Sequence, residues 1–294
     1  MKNKGKISLW PALFIGPHML LFVLFFLIPA MIGIYVSMTE WDLYSQPVFV
    51  GLDNFRTLLW DTDSIYHTQF INGFKNTMLF ALLSVPLCIV IPLGLAAALS
   101  AKPRLARFFQ SILYLPTLFA ISAVMIIWGL FLLSLSFGPI KELFGFDVHL
   151  TGTQPWAWLA IVAVTIWWTA GGNLIIYTAA LSNVSRELLE AAELGGANNV
   201  TKFFKISLPS IKNQLLFTTV MTTIAQFNIY GQPLMLTGGG PNNSTRVLMM
   251  YIQENAFGSS TSVAGMSSAM AVLLGLAIMI VSIFQFVSMK KLEK

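Results

Sequence analysis

Charged side chains are scarce in this sequence. Asp, Glu, Lys and Arg make up 10% of the 294 residues, whereas 56% of the residues are hydrophobic. A soluble domain has about 25% charged residues, so the composition excludes an ordinary soluble protein and indicates one that crosses a membrane several times. The net charge of +5 does not indicate nucleic acid, because the basic residues form small clusters beside apolar runs, as membrane orientation signals do.

Residues for metal or nucleophilic chemistry are also few. The single cysteine, Cys88, lies within an apolar run, which excludes an intrachain disulfide and a multi-cysteine metal site. His18, His67 and His149 are dispersed along the chain, so we expect no metal site and no histidine-based catalytic triad. The chain contains no Gly-x4-Gly-Lys-Ser/Thr run, so we expect it to bind no nucleotide cofactor and not to hydrolyse ATP itself.

Carboxylates and lysines are missing from the interior of the long apolar runs. Proton- or sodium-coupled carriers usually keep a buried ionisable group for the coupling ion. A stand-alone secondary transporter of a small solute, or a membrane-embedded enzyme, would therefore need an intramembrane acid, a histidine cluster or a Ser/His pair. The sequence shows none of these, which argues against both kinds of protein.

Six apolar segments are long enough to span a bilayer, which takes about 20 residues. The sequence therefore predicts an all-α polytopic membrane protein, a single transmembrane domain over residues 1–294. The first apolar run is too long for the apolar part of a cleaved signal peptide, so we expect an uncleaved first span. The predicted spans cover about residues 13–36, 74–99, 109–135, 155–181, 214–236 and 264–287.

The basic residues predict the orientation of these spans. An even number of spans places both termini on one side, and that side carries thirteen of the seventeen Lys and Arg residues. Arg56, Lys75, Lys141 and Arg246 fall on the other side. Because loops rich in Lys and Arg stay in the cytoplasm, we predict that both termini are cytoplasmic.

A polar segment, residues 182–212, separates the fourth and fifth spans. Ser185 can cap a helix there, Glu187 suits its first turn, and Gly195-Gly196 provides a stop at which φ can become positive. We predict a helix of about three turns. Its alanines, Ala191 and Ala192, offer a flat surface surrounded by the carboxylates of Glu187, Glu190 and Glu193. From these residues alone, the segment is either a solvated connector or a docking surface.

The same segment resembles the EAA loop of binding-protein-dependent ABC importer permeases. It matches at Glu190-Ala191-Ala192, at Gly196 and at Ile206 with Leu208-Pro209, with the family's spacing and between two apolar spans. One departure is Gly195, where the family usually carries Asp, which leaves open how firmly the helix ends. The resemblance implies a coupling helix that docks on a cytoplasmic ATPase through Glu187, Glu190, Ala191, Ala192, Gly196 and Pro209.

The last external loop, Thr237-Gly-Gly-Gly-Pro241 followed by Ser244-Thr245, is a turn by its glycines alone. It also resembles the corresponding loop of maltose-type carbohydrate importer permeases, and the similarity covers about residues 8–288. The resemblance implies a type I ABC importer permease in a prokaryotic plasma membrane, forming half of a pathway for a sugar, which we expect to be an oligosaccharide. The partners it implies are a second homologous permease, two ATPase subunits that bind ATP and Mg, and an external solute-binding protein.

The fourth and fifth spans each carry a polar helical face, with side chains recurring at i, i+3, i+4 and i+7 on the fourth. Amides, hydroxyls and an aromatic ring without full charges suit a neutral sugar. The same residue types also pack membrane helices together, so the faces alone leave both roles open. The family resemblance implies a substrate cavity lined by Thr165, Trp168, Thr169, Gly172, Thr222, Gln226, Asn228 and Ile229.

Overall fold

The computed structural model describes residues 10–101, 103–132, 145, 149–258 and 263–291, and these residues are mainly helical. Two short strands, β1 (Thr39–Glu40) and β2 (Val48–Phe49), pair antiparallel with Thr39 opposite Phe49. Helical turns of the π or 3-10 type cover Val23–Leu27, Leu115–Leu118, Ile127–Leu132 and Phe203–Ser207. The α-helices are α1 (Trp10–Phe22), α2 (Ile28–Val36), α3 (Asp53–Trp60), α4 (Ile65–Ser100), α5 (Ala106–Tyr114), α6 (Ile121–Ile126), α7 (Trp156–Ser182), α8 (Arg186–Leu194), α9 (Asn199–Lys202), α10 (Leu208–Ser210), α11 (Lys212–Phe227), α12 (Gly231–Thr237), α13 (Leu248–Phe257) and α14 (Ala264–Lys291).

Four predicted spans correspond to unbroken apolar helices. Within the described residues these are Leu13–Ser37, Ile65–Ser100, Trp156–Ser182 and Ala264–Met289. The third predicted span is a pair of helical segments, Ala106–Leu118 and Ile121–Leu130, bent by 96°; its predicted end at 133–135 lies outside the described residues, as do the lysines before residue 10. The fifth consists of α11 and α12, separated at 228–230. The all-α class is confirmed, and the structure is consistent with six spans without confirming that count.

Pro233 explains why the fifth span is broken. In a continuous helix, Pro233 would have no N–H for the carbonyl of Ile229 and its ring would clash with that carbonyl. The chain instead leaves the helix after Phe227 and restarts at Gly231, so that Pro233 falls in the first turn of α12. A proline costs little in a first turn, because N–H groups there have no helical acceptor.

The chain divides into two compact units, and the prediction of a single transmembrane domain stays a prediction. The first unit contains the residues up to Thr68 and Ile252–Leu273. Within it, the Asn54 amide donates to the carbonyl of Ser37 at 2.9 Å and to that of Thr39 at 2.8 Å. Those carbonyls follow the last helical turn of the first span, so Asn54 satisfies acceptors that the ended helix cannot.

A tight polar turn follows β1 in this first unit. The Asp42 carboxylate accepts hydrogen bonds from the Ser45 hydroxyl at 2.6 Å, from the Ser45 N–H at 2.7 Å and from the Tyr44 N–H at 3.0 Å. These donors, the Ser45 hydroxyl foremost, favour the charged carboxylate and lower the pKa of Asp42 to about 2. The turn is closed by the Trp41 indole, which donates to the carbonyl of Ser45 at 2.8 Å.

The second unit contains Gln69–Tyr251 and the residues from Leu274 onward. Its main apolar core joins α4, α6, α7 and the segment that leads into α12, and the rings of Phe80 and Trp158 meet in it at 6.1 Å between centroids. This core holds the N-terminal half of α7, whereas a second cluster holds the half that leads into α8. This arrangement leaves a polar layer on α7 between the two apolar clusters.

Candidate functional site

The helix predicted in the polar segment is present as α8, and its ends are formed as expected. The Ser185 hydroxyl accepts the N–H of Leu188 at 3.4 Å, and Glu187 lies in the first turn. Gly195 ends the helix and Gly196 follows with a φ of +81°, a conformation that side chains with a Cβ rarely adopt. Asn198 then caps α9 by accepting the N–H of Thr201 at 2.8 Å.

The outer face of α8 combines carboxylates with small and apolar side chains. Glu187, Glu190 and Ala191 are exposed, and Ala192 is half-buried. Leu188 is 56% exposed and Leu194 is 93% exposed, although both would gain from burial. Exposed leucines next to a charged rim are typical of a protein contact surface. The sequence analysis did not single out these two leucines, because exposure of one face cannot be read from the helical period alone.

The inner face of α8 is anchored to the ends of the spans. Leu189 packs against a cluster of buried residues that includes Tyr177, Leu181 and Ile211, and Ile206 of the EAA pattern joins this cluster. Pro209 lies in the short helix α10, just before α11 begins at Lys212. The inner face of α8 therefore packs in one cluster with the ends of α4, α7 and α11.

The polar face predicted on α7 is only partly open. Thr165 is fully buried and its hydroxyl donates to the carbonyl of Ile161 at 2.7 Å. The Thr169 hydroxyl donates to the carbonyl of Thr165 at 2.8 Å, and the half-buried Trp168 donates from its indole N–H to the carbonyl of Phe119 at 3.1 Å. A Cβ on Gly172 would meet no atom within 4 Å. Open space therefore borders this face at Gly172.

The face predicted on the fifth span is split between the interior and the surface. Thr222 and Gln226 are buried, at 8% and 5% exposure. Ile229 is 3% exposed and belongs to the main apolar core. Asn228 is exposed and its amide donates to the carbonyl of Ile224 at 2.7 Å. In the break between α11 and α12, Ile229 therefore packs inward and Asn228 faces the surface.

The two faces meet at Cys88 of α4. Its Sγ lies 3.8 Å from the Thr169 hydroxyl and 3.8 Å from the Gln226 amide nitrogen. One further residue completes the contact: the Asn173 amide donates to the Cys88 carbonyl at 2.9 Å and to the Thr222 hydroxyl at 3.0 Å. We call Cys88, Thr169, Asn173, Thr222 and Gln226 the polar cluster; it joins three helices by uncharged groups.

Asn173 was missed in the sequence analysis, although a signal for it exists. Pro92 follows Cys88 by four residues, and a proline at that spacing removes the N–H that would bind the Cys88 carbonyl. A buried carbonyl in this position requires a donor from another helix. Asn173 supplies it, and α4 is thereby tied to α7.

The glycine-rich loop that begins at Thr237 packs on the N-terminal half of α4. Gly238 and Gly239 have φ values of +60° and +85°. The Asn76 amide donates to the carbonyls of Asn243 at 3.0 Å and Arg246 at 2.9 Å, and the Thr77 hydroxyl accepts the N–H of Leu248 at 3.0 Å. The loop is therefore held in place by side chains of the second span as well as by its own turns.

Ligand groups for metals are not assembled in the part of the chain that the structure describes. No three His, Cys, Asp or Glu side chains come close enough there to hold an ion. The described residues do form an exposed face on α8, an uncharged polar cluster between three helices, and a connection between the two through α7.

Comparison with known proteins gives this architecture a family. The chain is 31% identical, over 100% of its own length and 99% of the relative's, to the "Probable starch degradation products transport system permease protein AmyD" of Thermoanaerobacterium thermosulfurigenes. It is 29% identical, over 95% of its length and 94% of the relative's, to an sn-glycerol-3-phosphate transport system permease protein, UgpA, of Escherichia coli.

A solved structure shares the fold. A chain of a bacterial ABC transporter involved in the import of the acidic polysaccharide alginate matches with a TM-score of 0.79 and 23% identity, over 95% of this chain and 94% of that one. The sequence pattern of the family described as "Binding-protein-dependent transport system inner membrane component" matches residues 90–294. The chain therefore belongs to this family of multi-pass inner-membrane transport proteins, and it is a transport subunit rather than an enzyme.

Proposed function

We propose that this chain is the membrane-spanning permease subunit of an ATP-driven, binding-protein-dependent importer, and that α8 is the helix on which a separate ATPase docks. The observation that carries the proposal is the two-sided character of α8. Its outer face exposes Glu190, Ala191 and the leucines at 188 and 194, while its inner face packs on the ends of the spans through Leu189. Such a helix can receive a force from a partner and transmit it.

The substrate that best fits the polar cluster is a neutral sugar, and an oligosaccharide in particular. The cluster presents amides and hydroxyls without a charged side chain, next to the half-buried ring of Trp168 and the open space at Gly172. Neutral polyols bind through such groups, with an aromatic plane against their C–H faces. The relative whose name refers to starch degradation products supports this substrate class. We assign the sugar cavity to the eight residues predicted from the sequence.

The partners follow from this role. We propose a second homologous permease that contributes the other half of the pathway, because one set of six spans hardly surrounds a sugar. Two ATPase subunits would hold ATP and Mg, and this chain would hold no cofactor of its own. An external solute-binding protein would deliver the sugar; a solved relative of this fold was captured in complex with a periplasmic protein bound to an alginate pentasaccharide. Both termini would be cytoplasmic, on the side of α8.

Charge reversal at Glu190 tests the proposal. A charge-assisted contact is worth about 1.5–3 kcal/mol, so Glu190→Lys is expected to lower co-purification of the ATPase and uptake of the sugar by at least about tenfold. Arg104→Glu is the matched control, a charge reversal that lies outside α8, and should leave both unchanged. Wild-type uptake and ATPase recovery in Glu190→Lys would contradict the proposed docking helix.

A further inference from the structure

A cavity of about 310 Å³ lies apart from the polar cluster, beside the anchored face of α8. It is formed by the end of α4, the start of α5, the end of α7 and the start of α8. Leu181 and Leu189 contribute apolar walls, whereas Arg107, Arg186 and Gln110 contribute polar ones. No role in transport described above uses this cavity.

The charged side chains that line the cavity are all positive. Arg107 and Arg186 line it and no carboxylate does. Within the described residues, neither guanidinium makes a hydrogen bond or an ion pair. Both arginines are exposed, and two positive charges on the walls of one cavity attract an anion. The arrangement therefore favours a negatively charged ligand.

A third polar group is held at the same cavity. The Gln110 amide donates to the Thr178 hydroxyl at 3.3 Å, and that hydroxyl itself donates to the Leu174 carbonyl at 2.9 Å. The hydroxyl is thereby fixed as an acceptor, which leaves the second amide hydrogen of Gln110 for a ligand. Two guanidinium groups and the remaining N–H of the Gln110 amide supply several donors at one cavity, and such donors suit phosphate oxygens.

We propose that this cavity binds a phosphate group carried on a short apolar body. Guanidinium groups match phosphate in pairs of hydrogen bonds, and the leucine walls suit the carbon part of the same molecule. The cavity lies where α4 and α7 end, and basic pockets between membrane helices bind phospholipid headgroups. The ligand is therefore the headgroup of an anionic phospholipid or a soluble phosphate ester of the same chemistry.

Occupancy of the cavity has a mechanical consequence. Arg186 and Leu189 belong to α8, whereas Arg107 belongs to α5. A phosphate bound to both arginines ties the start of α8 to the start of α5 and so restricts where α8 can move. The binding itself does not depend on the role proposed for the chain, but the effect on ATPase docking rests on that proposed function.

The test is a lipid titration of the purified, delipidated full-length chain, with bound lipid counted by native mass spectrometry. Phosphatidylglycerol is the probe and zwitterionic phosphatidylcholine the reference. The double variant Arg107→Gln/Arg186→Gln is expected to bind phosphatidylglycerol about tenfold more weakly than wild type. The control Arg104→Gln/Lys205→Gln removes two positive charges outside the cavity and should bind within about twofold of wild type.

The outcomes separate a built site from diffuse attraction. Equal weakening in both double variants, or none in either, overturns the proposal. If millimolar glycerol 3-phosphate displaces the lipid, the proposal holds and the ligand is a soluble phosphate ester. If it does not, the proposal holds and the ligand is the lipid headgroup. If the arginine variant does not fold, Ser182→Phe replaces it as the test, because this substitution fills the cavity and keeps both arginines. Retained lipid binding in Ser182→Phe would overturn the proposal. Failure of an ATPase to co-purify would refute the proposed function and leave the binding result intact.

Discussion

Replacing Asn173 with leucine is expected to loosen the packing of α4, α7 and α11. The substitution keeps a side chain of similar size but removes the amide that donates to the Cys88 carbonyl and to the Thr222 hydroxyl. The Cys88 carbonyl cannot turn to its own helix for a donor, because Pro92 occupies the position four residues later. Cys88 is 2% exposed, so water does not replace the lost bond either.

The size of the effect follows from the two bonds. Hydrogen bonds between membrane helices contribute about 0.6 kcal/mol on average and up to about 1.7 kcal/mol. The carbonyl lies at the upper end of this range because it is left without any partner. We therefore expect a loss of about 1–3 kcal/mol, which corresponds to a fall in the melting temperature of about 2–10 °C for a chain of this size.

Thermal unfolding of the purified chain in detergent, followed by tryptophan fluorescence, measures this loss. The matched control is Asn228→Leu, the same chemical change at an exposed residue whose amide binds only the Ile224 carbonyl of its own helix. A surface substitution of this kind should change stability by less than about 0.5 kcal/mol. A drop of equal size in both variants would show that the interhelical bonds are not the cause.

A double-mutant cycle with Pro92→Ala gives the sharper refutation. Alanine at this position restores an N–H that can bind the Cys88 carbonyl, so Asn173→Leu in that background should lose only the bond to Thr222. Its cost is expected to fall by about half, a coupling of roughly 0.5–1.5 kcal/mol. An undiminished cost in the Pro92→Ala background would refute the reasoning that Asn173 stands in for the missing N–H.

Three further predictions concern orientation, the cavity and pH. In a Cys88→Ser background, Asn243→Cys should react with an impermeant thiol reagent added outside the cell; reaction only from the cytoplasmic side would reverse the predicted topology. The double variant Trp168→Ala/Gln226→Ala should lower uptake of the cognate sugar while assembly and basal ATPase activity persist. Unchanged uptake would show that the sugar cavity is formed by the partner permease instead. The Asp42 pKa is lowered to about 2, so its carboxylate stabilises the external turn above pH about 4. This stabilisation should be lost as the pH falls through about 2, and Asp42→Asn should abolish the dependence, as NMR titration of the turn can show.

Local rules predicted the ends of α8 from the sequence. The cap at Ser185 and the positive φ at Gly196 depend on one residue and its immediate neighbours, and the structure has both. The apolar runs likewise predicted four spans that are single helices. The assignments of the coupling and cavity residues rest on family resemblance, and they stay predictions.

Features that depend on more than one helix escaped the sequence analysis. The break between α11 and α12 follows from Pro233, but a proline can bend a membrane helix, interrupt it or start a new one, and its neighbours decide which. The role of Asn173 required knowing that α7 crosses α4 next to the Cys88 carbonyl. A length of about 20 apolar residues identifies a span, but it does not show whether the helix of that span is continuous.

The connection between α8 and the polar cluster has a specific geometry. Asn173 and Tyr177 lie one turn apart on α7, and their partners on α11, Thr222 and Thr218, are also four residues apart. Asn173 contacts Thr222 at 3.0 Å, and the Tyr177 hydroxyl contacts the Thr218 hydroxyl at 2.7 Å. Two such bonds between antiparallel helices resist sliding as well as separation. Because α8 lies in the chain between α7 and α11, we expect a force on α8 to move both helices together, and the polar cluster with them.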